Sequence, residues 1–292
     1  MRETIIITAA DSAYFPLCRS LLASIRGHAE GASVDLGVLD VGLTPEQRRW
    51  LEGIGARVAA LDRGVVLPDR PLAGPGSLAM AARVFLPRHF PGHAVYAWID
   101  ADAWVQDGAV LGLLTGAALR HGFCLVPELH RAYDYLFTPG LGHPAREMHH
   151  LAYTGYFGAA TADQLSTLPI ANSGVFAGAA DAPQWGAWAD VMATCALRPM
   201  DQFLEQAALN FALAVGAMTA WRLPPTCNWI CAHALPMLDG RGRLVEPIEP
   251  HGVIEIIHLT TLKDRDVVPV ARVEGGSVRM SLGWPGRHQS AS

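Results

Sequence analysis

Positive charge, paired cysteines and long apolar runs are all scarce in this sequence of 292 residues. Lysine and arginine total 22 against 27 acidic side chains. Proteins that grip nucleic acid through its phosphates show the opposite surplus, so no nucleic-acid partner is expected. The same balance offers no basic patch for an anionic membrane. The five cysteines (Cys18, Cys124, Cys195, Cys227 and Cys231) are odd in number and include no CxxC pair. That argues against a disulfide framework or a structural zinc site, and for a reducing compartment. No stretch reaches the roughly 20 apolar residues that span a bilayer, and the isoleucine run from Ile5 to Ile7 is too short for a secretory leader. The expectation is a soluble, cytoplasmic protein, with peripheral contact at the inner face of a membrane left open. Also missing are a GxSxG elbow, a P-loop ending in GK[ST] and a GxGxxG after the first strand. Serine hydrolases, P-loop NTPases and dinucleotide enzymes thereby lose their motif support.

What is present is enough apolar chain, 51% of residues, to fill a large core. Over the first 125 residues strand-like and helix-like segments alternate. Strands are expected at Glu3 to Thr8, Val34 to Leu39, Arg57 to Leu61, Ala94 to Ile99 and Phe123 to Val126. Helices are expected at Phe15 to Arg26, from a Thr44–Gln47 capping box with Pro45 at the first position, at Ser77 to Arg88 and at Ala109 to Leu119. Such alternation predicts an α/β fold with a mainly parallel sheet and helices on both faces. A further strand is read near Asn172 to Ala177, helices at Trp185 to Ala196 and Gln202 to Val215, and a last apolar strand at Val253 to His258. Residues 1–264 read as the main domain and 265–292 as a C-terminal tail, a hairpin packed on it. Residues 128–157, rich in His, Tyr, Gly and Pro, show no clean period, and segments of that kind are usually functional.

In parallel sheets ligands meet the carboxyl ends of the strands. Two such places carry chemistry: Ala9-Ala10-Asp11 after the first strand, and Asp100-Ala101-Asp102 after the fourth. Two carboxylates one residue apart at a chain exit can share a hard cation such as Mg²⁺ or Mn²⁺, or they can be a turn with two solvated aspartates. His258 closes the last apolar strand, either as a structural histidine or as a third ligand that would favour Mn²⁺. Lys263, five residues on, is a candidate phosphate partner. His130, His143, His149 and His150 lack zinc-site spacing and read as surface or substrate-contacting histidines of a loop.

Several of these segments fall in the order of a known family. Thr8-Ala9-Ala10-Asp11-Ser12-Ala13-Tyr14, Val38-Leu39-Asp40-Val41-Gly42-Leu43, Ala82-Arg83-Val84-Phe85-Leu86-Pro87, Asp100-Ala101-Asp102, Asn172-Ser173-Gly174-Val175, Glu205-Gln206-Ala207-Ala208-Leu209-Asn210 and His258 together resemble glycosyltransferase family 8. That family comprises retaining enzymes of the GT-A fold, a nucleotide-diphospho-sugar transferase fold with a Rossmann-like sheet. The chain looks most like its bacterial members that build lipopolysaccharide. The resemblance implies that Thr8, Ala9, Ala10, Asp11 and Tyr14 hold the nucleoside, and that Arg83, Asp100, Ala101, Asn172, Ser173 and Lys263 contact the donor. It implies that Asp100, Asp102 and His258 hold Mn²⁺ (or Mg²⁺), and that Glu205 and Gln206 form the catalytic pair. The chain departs from the family pattern at Glu205, where an aspartate is usual, at Ala207, where an acid is usual, and at Lys263, which comes one place early.

The implied reaction moves a hexose from a UDP-sugar, UDP-galactose or UDP-glucose, to a glycan, lipid-linked or small-molecule acceptor. Retention by a covalent intermediate would need a carboxylate nucleophile such as Glu205, whereas Gln206 suits a front-face attack. Two alternatives stand beside this reading: a nucleotide-sugar-binding module without transferase activity, and a nucleotidyltransferase.

Overall fold

The computed structural model describes residues 2–61, 66, 75–195, 203–262 and 266–285. The strands are β1 (Arg2–Ala10), β2 (Asp35–Asp40), β3 (Ala56–Ala60), β4 (His93–Ile99), β5 (Ala103–Val105), β6 (Phe123–Pro127), β7 (Ala171–Ala179), β8 (Trp221–Arg222), β9 (Trp229–Ile230), β10 (Met237–Leu238), β11 (Leu244–Val245), β12 (Ile256–His258), β13 (Val267–Ala271) and β14 (Ser277–Ser281). The helices are α1 (Phe15–Arg26), α2 (Pro45–Gly53), α3 (Pro75–Ala82), α4 (Leu86–His89), α5 (Ala109–His121), α6 (Pro144–Phe157), α7 (Ala159–Leu165), α8 (Gln184–Thr194) and α9 (Leu204–Ala214).

A seven-stranded sheet runs β3-β2-β1-β4-β7-β6-β8. The pairings β1–β2, β2–β3, β1–β4 and β6–β8 are parallel, while β7 runs antiparallel to both β4 and β6. Successive β1 side chains alternate between two cores: Ile5 and Ile7 pack into one, with α8 and α9, and Ile6 into the other, with α1 and α5. The mainly parallel sheet with helices on both faces is therefore as expected. A strand buried on both faces needs an unbroken apolar run, which Ile5-Ile6-Ile7 supplies.

Two expectations need correction. The helix expected over Ser77 to Arg88 is broken: α3 ends at Ala82, a tight turn covers Arg83–Phe85, and the short α4 follows. Pro87, which has no N–H to give, sits in the first turn of α4, where its lack costs nothing. Residues 128–157 are not irregular throughout, because α6 fills their second half. Its buried side is His149, Ala152, Tyr153 and Tyr156, side chains that hydropathy does not mark as a core stripe. Pro144 at its start, with the His143 ring accepting from the Ala145 N–H at 3.2 Å, was the readable sign.

A third core, of Trp104, Tyr133, Trp229, Ile254 and Ile257 with Val270 and Leu282, lies around a small sheet of β5, β12 and β9. The β13–β14 hairpin is antiparallel. It is tied to this core by Val270 and by the Trp104 indole N–H, which donates to the Leu282 carbonyl at 2.8 Å.

Candidate active site

β4 ends at Ile99, and the chain turns through Asp100-Ala101-Asp102 into β5. The Asp100 N–H donates to the Gly174 carbonyl on β7 at 2.8 Å, and the Ala103 N–H closes the turn on the Asp100 carbonyl at 3.0 Å. β12 pairs antiparallel with β5 in a register that sets His258 opposite Ala103. That register carries a residue 156 positions downstream of Asp102 to its side, and the Leu259 N–H donates to the Asp102 carbonyl at 3.0 Å. His258 Nε2 then lies 3.2 Å from Asp102 Oδ1 and 3.7 Å from Asp100 Oδ2. The ligating atoms of all three lie within 4.8 Å of one another.

This cluster fits a divalent cation. The other nitrogen of His258, Nδ1, meets Asn228 Oδ1 at 2.8 Å, which fixes the ring and leaves Nε2 toward the carboxylates. Oxygen and imidazole donors together suit Mn²⁺. The electrostatics ask for positive charge at the centre. Burial pushes the Asp100 carboxyl above its usual range against the pull of Arg83 and His258. At Asp102 burial pulls the same way, but His258 outweighs it and the carboxyl is held low. Burial pushes His258 down, yet Asp102 and Asp100 prevail and its imidazolium is favoured. Gly174 is required here: a Cβ on it would sit 2.7 Å from both Asn172 Oδ1 and His258 Cε1 and 2.8 Å from Asp100 Oδ2.

The cluster opens into a cavity of about 1090 Å³. That is at the upper end of ligand-binding sites, which run from about 300 to 1,000 Å³. Ala9, Ala10, Asp11, Tyr14 and Val41 line one part of it, at the carboxyl ends of β1 and β2. Asp11 Oδ1 accepts from the N–H groups of Ala13 and Tyr14 at 2.9 and 2.8 Å, which fixes the turn into α1 and leaves Tyr14 53% exposed. Thr8 is buried and is not on the cavity wall.

Arg83 is 96% buried and its charge is already spent. It is ion-paired to Asp100 and, at 2.8 Å, to Glu205, and it donates to Ser173 Oγ at 2.9 Å, with its face 4.9 Å from the Trp98 ring. Glu205 is only 1% exposed, its Oε1 held by Arg83 and by the Ser173 hydroxyl at 2.9 Å, and Oε2 has no hydrogen-bond partner among the described residues. Burial raises its pKa to about 7 against the opposing pull of Arg83. Gln206 turns its amide oxygen to the Ser173 N–H, 3.0 Å away, which leaves its amide nitrogen for the cavity. Ser173 is fully buried, off the wall, and serves as the junction of these three side chains. Lys263 lies outside the described residues.

Asn172 is less free than a sugar-holding residue would be. Its Oδ1 accepts from the Gly174 N–H at 2.7 Å and from Asn228 Nδ2 at 2.9 Å, and its Nδ2 donates to Glu128 Oε1 at 2.7 Å. One N–H remains. The partners Glu128 and Asn228 went unmarked in the sequence. Glu128 follows the end of β6 as Asp100 follows β4, so the strand-end rule that picked out Asp100 also pointed to it. Glu128 Oε2 meets His233 Nε2 at 2.8 Å. Of the four expected loop histidines, His143 and His149 line the cavity, while His130 pairs with Glu246 at 3.1 Å and His150 meets Ser166 Oγ at 3.2 Å.

No protein-family model matches this chain, and no curated protein matches it. Solved structures do. The bifunctional glycosyltransferase WbbM aligns with a TM-score of 0.53 at 17% identity, over 78% of this chain and 40% of that one. Mouse xyloside xylosyltransferase 1 aligns at 0.49 and 12%, over 88% and 96%. The galactosyltransferase LgtC, in complex with donor and acceptor sugar analogs, aligns at 0.46 and 15%, over 70% and 69%. This chain spans under half the length of WbbM. The fold is the GT-A fold of glycosyltransferases.

Proposed function

We propose that the protein is a metal-dependent glycosyltransferase that moves a hexose from a UDP-sugar, UDP-galactose or UDP-glucose, to a sugar-containing acceptor. The observation that carries this reading is the Asp100–Asp102–His258 cluster, set at the end of a central strand and open to a cavity of about 1090 Å³. The choice of uracil rests on the resemblance of residues 8–14 to the family's nucleoside motif, with Tyr14 placed for a base to lie against.

A divalent cation held by Asp100, Asp102 and His258 would supply a Lewis acid for the departing diphosphate. The chain's own residues set the stage. Arg83 ion-pairs with both Asp100 and Glu205, which opposes the effect of burial on Asp100 and holds it in place. Gln206 offers its amide N–H groups to the sugar, and Asn172 its one remaining N–H. Glu205 is buried and bound through one oxygen, so it positions Arg83 rather than acting as a nucleophile. That favours retention by front-face attack over a covalent intermediate.

The acceptor enters, in this reading, past α6. Met148 and Leu151 (62% exposed) are on this helix and Phe137 (70% exposed) and Leu141 precede it in the chain; all four are exposed, and Met148 also lines the cavity. Exposed apolar side chains of this kind suit a lipid-linked acceptor at a membrane surface. Among the described residues no helix is long and apolar enough to cross a membrane.

The test is release of free nucleotide from a panel of UDP- and GDP-sugars in Mn²⁺. Hydrolysis of one donor, abolished by EDTA and by Asp102→Ala, is the expected result. Silence on every donor, with no calorimetric binding of UDP and Mn²⁺, sinks the reading. Silence with tight binding favours the binding-module alternative.

A further inference from the structure

A second carboxylate–imidazole pair, Glu128 with His233, lines the cavity, and the donor site does not use it. Glu128 is 96% buried, yet it stays ionised: burial pushes its pKa up, but His233 and Asn172 more than reverse the shift. Its two oxygens are divided, Oε1 to Asn172 Nδ2 at 2.7 Å and Oε2 to His233 Nε2 at 2.8 Å. The His233 ring is further fixed by Tyr133 and Tyr135, whose centroids lie 5.1 and 4.7 Å from its own. The Tyr133 hydroxyl is itself pinned by the Ile230 N–H at 3.1 Å.

An imidazole whose Nε2–H is given to a carboxylate has its lone pair on Nδ1. The carboxylate sets the tautomer and stabilises the ring once it takes a second proton, which is how carboxylate–histidine pairs act in acyl transfer. This pair also stands near the metal cluster. A short relay of hydrogen bonds runs from His258 through Asn228, Asn172 and Glu128 to His233, each link 2.9 Å or less. Both ends of the relay line the same cavity.

We propose that His233, oriented by Glu128, is the catalytic base that receives the proton of the acceptor hydroxyl. The inference rests on the transferase reading above. In the step, the acceptor O–H bond breaks and its proton passes to His233 Nδ1. The oxygen forms the new bond to the anomeric carbon, and the bond from that carbon to the diphosphate breaks, its electron pair leaving with the nucleotide. The imidazolium, facing Glu128, then returns its proton to solvent. His149, on the same wall, is the rival for this role. Burial holds its pKa below the usual range against the pull of Glu128, and no carboxylate hydrogen-bonds its ring among the described residues.

The test uses water as the probe acceptor, with the full chain in Mn²⁺ and the donor it hydrolyses best. His233→Gln keeps a side-chain N–H for Glu128 but cannot carry a proton. Nucleotide release should fall about 100-fold, the usual scale for a lost general base. Affinity for UDP in Mn²⁺, measured by calorimetry, should stay within about two-fold. Added imidazole should restore part of the rate in His233→Ala. In the wild-type protein, ¹⁵N NMR should show His233 with a bare Nδ1. A wild-type rate in His233→Gln overturns the inference, as does loss of UDP binding in step with rate, the opposite ring tautomer, or a rate lost in His149→Gln and kept in His233→Gln. Each of these leaves the transferase reading standing. A wild-type protein that releases no nucleotide from any donor and binds no UDP removes both.

Discussion

The two ends of the cavity hold their charges differently. At the metal end three carboxyl groups, the half-buried Asp100 and Asp102 and the buried Glu205, face one guanidinium and one imidazole. At the acceptor end a single carboxylate, Glu128, faces a single imidazole, His233. The first gathers three carboxyl groups around one guanidinium and one imidazole and would take a divalent cation; the second pairs one carboxylate with one imidazole nitrogen. They are also built differently. The metal end stands on strand ends, with its geometry fixed by the β5–β12 register and the Gly174 carbonyl. The acceptor end is carried by α6, the turn after β6 and the turn after β9, fastened mainly by side-chain hydrogen bonds. A site can thus take a rigid charged half from the sheet and an adaptable half from its loops.

The variant expected to break this comparison most severely is Arg83→Ala. It leaves Asp100 and Glu205 buried without their shared cation, a situation that costs about 3–5 kcal/mol. Urea unfolding should report a loss of that order. Glu128→Ala, at the other end, should cost less, because it removes a buried carboxylate rather than leaving one without its cation. If Arg83→Ala proves as stable as wild type, the guanidinium does not hold the metal end together.

Asp102→Asn comes next. It removes one cation ligand while keeping volume and hydrogen-bonding shape, so the fold should survive. Calorimetry should show UDP affinity in Mn²⁺ down by about 100-fold, or about 2.7 kcal/mol, with weak binding in EDTA unchanged. Equal losses with and without the metal would mean that Asp102 contacts the nucleotide itself.

How much of this was legible in the sequence differs between the two ends for the same physical reason. A sheet advertises itself: β-branched runs mark the strands, and acids directly after a run mark the ligand side. Asp100, Asp102 and Asp11 were found that way, and His258 could be guessed as the close of the last apolar run. The β5–β12 register that brings His258 in is a tertiary fact with no local signature. At the other end, α6 hides because its buried face is His149, Tyr153 and Tyr156 around one alanine. Glu128 had the right position but stood alone, without a second acid to mark it. The roles expected of Asn172 and Ser173 shifted because hydrogen-bond saturation cannot be read from a motif. Both spend most of their capacity on neighbours supplied by other elements.

A pH series on Glu205→Gln sharpens the charge argument at the metal end. The folded protein keeps the Glu205 proton up to about pH 7, whereas the ordinary value is 4.5. The native state therefore binds more protons than the unfolded chain between those values, and wild-type stability falls as pH rises through that window. Glutamine carries no such term. The variant should gain on wild type by about 3 kcal/mol between pH 4.5 and pH 7.5, on the scale of about 1.36 kcal/mol per unit. Metal-free unfolding curves at several pH values measure it. A difference that does not change with pH would mean that Glu205 is ionised throughout and that Arg83 faces two carboxylates at once.

The smallest expected effect on the molecule itself is at the rim of the acceptor end. Phe137→Ser with Leu151→Ser changes two side chains that are mostly in water, so stability should move by no more than about 0.5 kcal/mol. UDP affinity in Mn²⁺ should not move at all, because neither residue lines the cavity. Adsorption to phosphatidylcholine vesicles, measured by sedimentation, is where the pair should register. Leu141 and Met148 remain in the double variant, so binding should weaken several-fold rather than vanish. The run from Tyr135 to Ala145 contains no Asp, Glu, Lys or Arg, so insertion there would be apolar and little affected by salt. If the double variant sediments like wild type, or salt alone strips the protein from vesicles, the rim is not a membrane contact. The acceptor end would then be open to glycans free in solution.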